Sequence, residues 1–237
     1  MKNEYFGDDN DYRKYGLLRS LPRTSNMKLL VAWMLTGRDE EQSNDGQSRS
    51  YLEKEDRFGG CDPELYDWLR EKRGEGRSVS HIENSQLLHG ATFYSEVVQD
   101  DRAGRQQWAE GLYRKAESAD VVFLDPDIGI EVASKPCEGG RKGSSKYVAW
   151  AELEKLWNAG KSLLIYQHFA HAEHEAFIRS KLHGLKEHLR TPVPYQLSAF
   201  ITPKVVFLLA LQKQVDFEVG EAWIKSKQLE RWSDPAQ

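Results

Sequence analysis

The sequence predicts an α/β fold: a mostly parallel sheet with helices on both faces, closing in an antiparallel hairpin. Three observations predict it. Between residues 28 and 166, short apolar runs alternate with longer helical stretches, the order that builds parallel strands joined by crossover helices. The last two apolar runs, Tyr195 to Ile201 and Lys204 to Leu211, are separated only by Thr202-Pro203, and so short a link permits antiparallel pairing alone. Apolar residues make up 39% of the chain and include 7 Trp, 10 Tyr and 9 Phe, enough to bury a core.

The elements follow in order. Asp11 is expected to cap a helix from Tyr12 to Leu21 that Pro22 stops. Lys28 to Leu35 (KLLVAWML) is a buried strand. The polar stretch from Thr36 to Ser50 has no period and is long for a structural connection, which favours a functional role. Asp62-Pro63 opens a helix running to Lys72. Ser78 to Glu83 and Ala91 to Val97 read as strands. Asp100 or Asp101 caps a helix ending near Glu117, with Trp108, Leu112 and Tyr113 on one face. Asp120 to Leu124 (DVVFL) is the clearest strand. A glycine-rich basic loop from Lys135 to Lys146 follows, then a helix from Trp150 to Asn158, a strand from Ser162 to Tyr166 and a helix from Glu173 to Leu189. The hairpin and a C-terminal helix complete the chain. Its 237 residues are read as a single domain, 1–237, with an N-terminal helical segment over 1–25.

Composition excludes several classes. Lys and Arg total 33 against 37 Asp and Glu, a net charge of −4, so nucleic-acid binding needs a local basic patch rather than bulk charge. Lys135, Arg141, Lys142 and Lys146 supply one, and Arg13, Lys14, Arg19 and Arg23 could extend it. Two cysteines, Cys61 and Cys137, build neither a disulfide framework nor a four-cysteine zinc site. No apolar run approaches the roughly 20 residues of a membrane span, and the opening lacks the apolar core of a signal peptide. A cytoplasmic protein with no membrane partner is expected.

The strongest local signal is Asp125-Pro126-Asp127-Ile128-Gly129-Ile130-Glu131, directly after DVVFL. In open α/β sheets, ligands bind beyond the carboxyl ends of strands. Pro126 turns the chain sharply, and Gly129 allows close backbone approach. Three acids so close together favour a cationic or hydrogen-bond-donating neighbour. His168 follows the strand SLLIY at another carboxyl end and suits hydrogen bonding or proton shuttling. His171 and His174, three residues apart on from His168, are expected to be surface positions, and no metal is expected.

Element order resembles that of class I S-adenosylmethionine methyltransferases, a Rossmann-like fold. Asp125-Pro126 resembles the (Asp/Asn)-Pro-Pro-(Tyr/Phe) signature of amino-group methyltransferases acting on adenine. In that family the first side chain and the proline carbonyl hold the exocyclic amine, and the aromatic stacks on the base. Here Asp127 stands at the second proline and Ile128 at the aromatic. The segment from Gly7 to Tyr15 is similar to the Gly-Asn-x-x-Asp-x-x-Lys-His opening of bacterial 23S rRNA adenine-N6 methyltransferases of the RlmJ type. Gly7, Asp11 and Lys14 match, while Asp8 and Tyr15 differ.

The resemblance implies S-adenosylmethionine as cofactor and an amine of a nucleic acid or phosphate-bearing small molecule as target. Gly7, Asp11, Lys14, Thr36, Gly37 and Glu83 are then the cofactor residues, Glu83 as a strand-end acid accepting from ribose hydroxyls. Asp125, Pro126, Asp127 and His168 are the catalytic set. Gly129, Glu131, Arg141, Lys142 and Lys146 face the substrate, the basic loop acting as a mobile lid. Only Thr36-Gly37 follows the first strand, where this fold normally carries a glycine-rich turn. Two alternatives stand beside this reading. One is a magnesium-dependent nuclease or phosphohydrolase using Asp125, Asp127 and Glu131; the other is a nucleotide-binding module without catalysis. Asp125, at a polar strand end, is expected to be removable without harm to the fold.

Overall fold

The computed structural model describes residues 1–21, 27–37, 48–137, 140–170, 173–214 and 219–232. Helix α1 (Asp9–Arg19) is followed by β1 (Leu29–Ala32), α2 (Glu55–Phe58), α3 (Pro63–Glu71), α4 (Ser80–Glu83) and β2 (Thr92–Tyr94). Next come α5 (Arg102–Ala116), β3 (Val121–Leu124), β4 (Gly129–Ile130), β5 (Tyr147–Val148), α6 (Trp150–Asn158), β6 (Ser162–His168) and α7 (His174–His188). The chain ends with β7 (Gln196–Ile201), β8 (Val205–Leu211), α8 (Glu221–Lys225) and β9 (Glu230–Trp232).

Seven strands form one sheet in the order β2-β1-β3-β6-β8-β7-β9, and β4 and β5 form a separate parallel pair. The strands β2, β1, β3 and β6 are parallel. β8 inserts antiparallel between β6 and β7, as the Thr202-Pro203 link requires. The expected α/β class, with a parallel sheet core and a terminal antiparallel strand, is what the chain adopts.

Strand side chains alternate between faces, and each face has its own core. Leu30, Ala32, Val122, Leu124, Leu163 and Ile165 pack with Leu112 of α5, Leu156 of α6 and Leu185 of α7. Val31, Phe123, Leu164 and Tyr166 pack with Tyr12 and Tyr15 of α1, Leu65 of α3 and Trp223 of α8. Among the described residues no helix is long and apolar enough to cross a membrane.

Several local expectations are corrected. Asp8, not Asp11, caps α1: its backbone is extended and its carboxylate accepts from the Asp11 N–H at 2.7 Å. Asp11 lies inside the first turn. The expected stop at Pro22 lies outside the described residues. The expected strand from Ser78 to Glu83 is instead the short helix α4 (Ser80–Glu83) with Val79 at its N-cap, since the apolar residues Val79 and Ile82 are three apart and both buried, the spacing of a helix face. Of the two caps expected for α5, Asp101 is the one used, accepting from Gly104 N–H. The closing helix α8 is only five residues long. Lys227, at φ 55°, turns the chain into an edge strand paired with β7.

Helix α1 shows how closely these layers meet. Every residue from Asn10 to Leu18 is buried, so the helix is surrounded rather than amphipathic. A Cβ added at Gly16 would lie 2.1 Å from the Trp223 ring. Gly16→Ala gains about 1 kcal/mol of helix propensity, but overpacking against a buried indole costs about 1–3 kcal/mol or more. The packing term should win: urea denaturation is expected to show Gly16→Ala less stable by about 1–3 kcal/mol. Adding Trp223→Phe should recover part of that loss, so the pair should be non-additive.

Candidate functional site

The sheet order creates one topological switch point. From β1 the chain proceeds to β2 on one side, and from β3 it proceeds to β6 on the other, so a crevice is expected outside the carboxyl ends of β1 and β3. Residues 33–36 leave β1 there, and Asp125-Pro126-Asp127 leave β3. The Asp125 N–H still bonds Ala32 O at 3.0 Å, continuing the ladder to its last rung.

The N-terminal segment fills this place. The Met1 nitrogen lies 3.2 Å from both Met34 O and Asp125 O, and Thr36 N–H donates to Met1 O at 3.0 Å. Asp127 stands 3.9 Å from the same nitrogen. Gly7 takes φ +76°, a turn open to glycine, and its N–H donates to Asp11 Oδ2 at 2.9 Å. That turn delivers the chain from the crevice into α1.

Lys14 then reaches from α1 to the strand end. Its ammonium donates to Asp11 Oδ1 at 2.8 Å and to Asp125 Oδ2 at 2.7 Å. It also sits 5.0 Å from the Tyr166 ring centre and 5.8 Å from that of Trp33. Tyr15 donates its hydroxyl to Asp11 Oδ2 at 2.9 Å. Lys14 is 2% exposed and Asp125 1%, so neither charge is tolerable without the other. Burial opposes the Lys14 charge, but the Asp11 and Asp125 carboxylates outweigh it and hold the ammonium above its ordinary range. Burial pushes the Asp125 carboxyl upward against the pull of Lys14. Burial, and then the repulsion of Asp11, push Asp8 up to about 8.

The expected cofactor and catalytic residues thus converge only in part. Gly7, Asp11, Lys14, Thr36 and Asp125 meet at the switch point, with Pro126 and Asp127 beside them. Glu83 does not present a free carboxylate: its Oε1 accepts from Trp33 Nε1 at 2.8 Å and from the Ser95 hydroxyl. Gly37 is exposed, with open space around its Cα. His168 reaches the cluster only indirectly, its Nε2 3.2 Å from the Tyr166 hydroxyl. It lies in β6, which runs two residues beyond the expected end because Gln167 and His168 pair with Val206 and Val205. His174 is exposed and stacks on Phe169 at 3.7 Å; His171 lies outside the described residues.

Two of the five expected substrate residues, Gly129 and Glu131, are engaged by neighbouring groups of the fold. Gly129, at φ +144°, is buried, and a Cβ there would lie 2.3 Å from the Gln167 amide. That amide accepts from Ile130 N–H at 2.9 Å and donates to Ile128 O and His168 O. Glu131 braces the following loop, one oxygen accepting from Trp150 N–H at 2.7 Å and the other from Cys137 N–H. The basic loop is tied down rather than free: Asp100 accepts from Gly143 N–H at 2.7 Å and from Ser145 N–H at 2.8 Å. Arg141 and Lys142 are exposed, and Lys146 is half-buried; Gly139 lies outside the described residues. The basic surface expected on α1 is absent too. Arg13 is buried against Gln228, and Arg19 pairs with Asp62 at 2.7 Å. Arg23 lies outside the described residues.

Sequence reasoning missed Trp33, Tyr166 and Gln167, which frame the cluster. Tyr166 and Trp33 looked like ordinary strand residues. Their signal was position: each is a polar-edged aromatic at a parallel strand's carboxyl end. Comparisons with protein-family models, with curated proteins and with solved structures returned no match, so the functional argument rests on this geometry.

Two outcomes are expected. Lys14→Met strands two buried carboxylates and should cost about 3–5 kcal/mol in denaturant unfolding, whereas adding Asp125→Leu should restore much of it. By the same argument Asp125→Ala is expected to destabilise the fold, since it leaves Lys14 with Asp11 alone. The second outcome concerns Asp8. Its folded value of about 8 exceeds the ordinary 3.8, so the folded chain holds a proton that the unfolded chain releases. The associated stability is complete below pH ~4 and is lost as pH rises toward 8. Asp8→Asn keeps the capping acceptor without the titration. Its stability relative to the parent should therefore rise between pH 5 and 8, measured by urea unfolding at each pH.

Proposed function

We propose that the chain is a methyltransferase-type enzyme acting on an amine of a nucleotide or nucleic acid. One observation carries this reading: at the switch point of a sheet ordered β2-β1-β3-β6-β8-β7, with β8 antiparallel, the acceptors of Asp125 face amine nitrogens. The carboxylate receives the Lys14 ammonium at 2.7 Å and the backbone carbonyl receives the Met1 nitrogen at 3.2 Å. A strand end that holds amines by one side-chain oxygen and one backbone oxygen suits orientation of a target amine. Orientation supplies much of the acceleration in such a transfer, on the order of 7–11 kcal/mol at best.

The residues as arranged do not fit S-adenosylmethionine. Glu83 Oε1 is shared by Trp33 and Ser95, Lys14 covers Asp125, and Met1 lies where the two strand ends part. Thr36 Oγ1 alone among the expected contacts is buried without a hydrogen-bond partner. A ligand at the switch point therefore requires displacement of residues 1–8. The nuclease alternative is weaker, because both Glu131 oxygens are committed to backbone N–H groups.

Calorimetry with S-adenosylhomocysteine tests the reading. Asn3 helps hold the N-terminal segment by accepting from Val79 N–H at 3.0 Å. Asn3→Ala should tighten binding by up to about tenfold, since affinity scales with the open fraction. Absence of binding at millimolar ligand in both proteins would remove the methyltransferase reading and leave a Rossmann-like module for another ligand.

A further inference from the structure

The segment from Ile128 to Lys146 is rooted at two places. Its start lies against β6, where His168 N–H donates to Ile128 O at 2.9 Å, and its far part is fastened to the start of α5 by Asp100. A Cβ added at Gly140 would lie 2.9 Å from the Arg102 backbone nitrogen, so Arg141 and Lys142 stand beside Arg102. All three side chains are exposed, as is that of Lys135 earlier in the segment. None of these four cations has a carboxylate within ion-pair distance among the described residues. By contrast, Arg70 pairs with Glu55 and Asp67, Arg190 with Glu187 and Lys225 with Glu221. The acids beside the cluster are engaged elsewhere: Asp100 accepts from Gly143 and Ser145 N–H, and Asp101 from Gly104 N–H. The cluster lies on the carboxyl-end side of the parallel strands, the side of the switch point, because α5 follows β2 and the segment follows β3.

We infer that Arg102, Lys135, Arg141 and Lys142 bind the phosphate backbone of a single-stranded nucleic acid. Exposed cations strung along a loop and a helix start match a repeating polyanion, which contributes one phosphate to each and releases its counterions. A single phosphate is held instead by donors that converge on it. The net charge of −4 makes such binding local to this cluster rather than general to the surface. The inference deepens the proposed function, choosing a strand over a free nucleotide, and rests on that reading for what the strand delivers to the switch point. A solvated loop with no partner is the competing account, and the test separates the two.

The experiment is fluorescence anisotropy of a labelled single-stranded oligonucleotide titrated with the full chain over a salt series. Binding is expected at low salt, its log affinity falling with log salt at a slope of about −2 to −3, roughly −0.7 for each phosphate neutralised. The triple variant Arg102→Gln, Arg141→Gln, Lys142→Gln should weaken binding by about tenfold or more at low salt and bring the slope near −0.7. All three positions are exposed, so the fold should survive the change. A second triple variant, Arg70→Gln, Arg190→Gln, Lys225→Gln, removes the same charge from cations that already have partners and should change affinity by less than about threefold. No binding by the parent chain, unchanged affinity in the first variant, or equal losses in both variants overturns the inference. So does tighter binding of polyglutamate than of the oligonucleotide, which would mark an acidic protein partner. S-adenosylhomocysteine binding is measured separately. Its failure with strand binding intact removes the methyltransferase reading and leaves the strand interface, whereas the reverse leaves an amine site for free nucleotides.

Discussion

Burying an ammonium is costly unless carboxylates meet it, and the position of Lys14 between Asp11 and Asp125 organises much of this molecule. The pair ties the first helix to the carboxyl end of β3, an interior strand of the sheet. It explains why α1 is buried on every side, against the usual preference for an amphipathic helix. Tyr15, Gly7 and Asp8 supply hydrogen bonds that complete Asp11 and the helix start. Removing any one partner leaves a charge facing hydrocarbon and aromatic rings.

That network also decides how much of the protein could be read from its sequence. The parallel core and terminal hairpin were legible because they follow from local patterns: apolar runs, Asp-Pro starts, and a link too short to cross over. The meeting of Gly7, Asp11, Lys14 and Asp125 was legible only through a resemblance, since Lys14 and Asp125 are 111 residues apart. Glu83 was misread for a local reason. Its segment is too short to show a period clearly, and its only apolar residues, Val79 and Ile82, bury at helical spacing. The tertiary contacts of Gly129 and Glu131 were not legible either: Gln167 packs on Gly129, and the backbone at Cys137 and Trp150 donates to Glu131. Nothing in a single sequence distinguishes an acid that awaits a ligand from one that braces a loop.

The small parallel pair β4 and β5 belongs to the same logic. It holds residues 128–131 against the end of β6 through Gln167, so the Asp125-Pro126-Asp127 turn is fixed from its far side as well. The loop after it is in turn fastened to α5 by Asp100. Rigidity on the β3 side contrasts with the other wall of the crevice, which is made by residues 1–8 through backbone hydrogen bonds and a few side-chain contacts.

This asymmetry sets the terms for any ligand at the switch point. A group that enters must displace Met1 while leaving Asp125 neutralised, because an unpaired carboxylate at that depth is prohibitive. Lys14 can remain, anchored by Asp11, so the costs that fall on the ligand are the hydrogen bonds of Met1 to Met34, Thr36 and Asp125. Net, such bonds are worth about 0.5–1.5 kcal/mol each. Opening by roughly 3 kcal/mol lowers apparent affinity by about 150-fold. A ligand bearing its own cation or amine recovers part of this by taking over the acceptors that Met1 vacates, whereas an anionic one adds repulsion from Asp125 and Asp127.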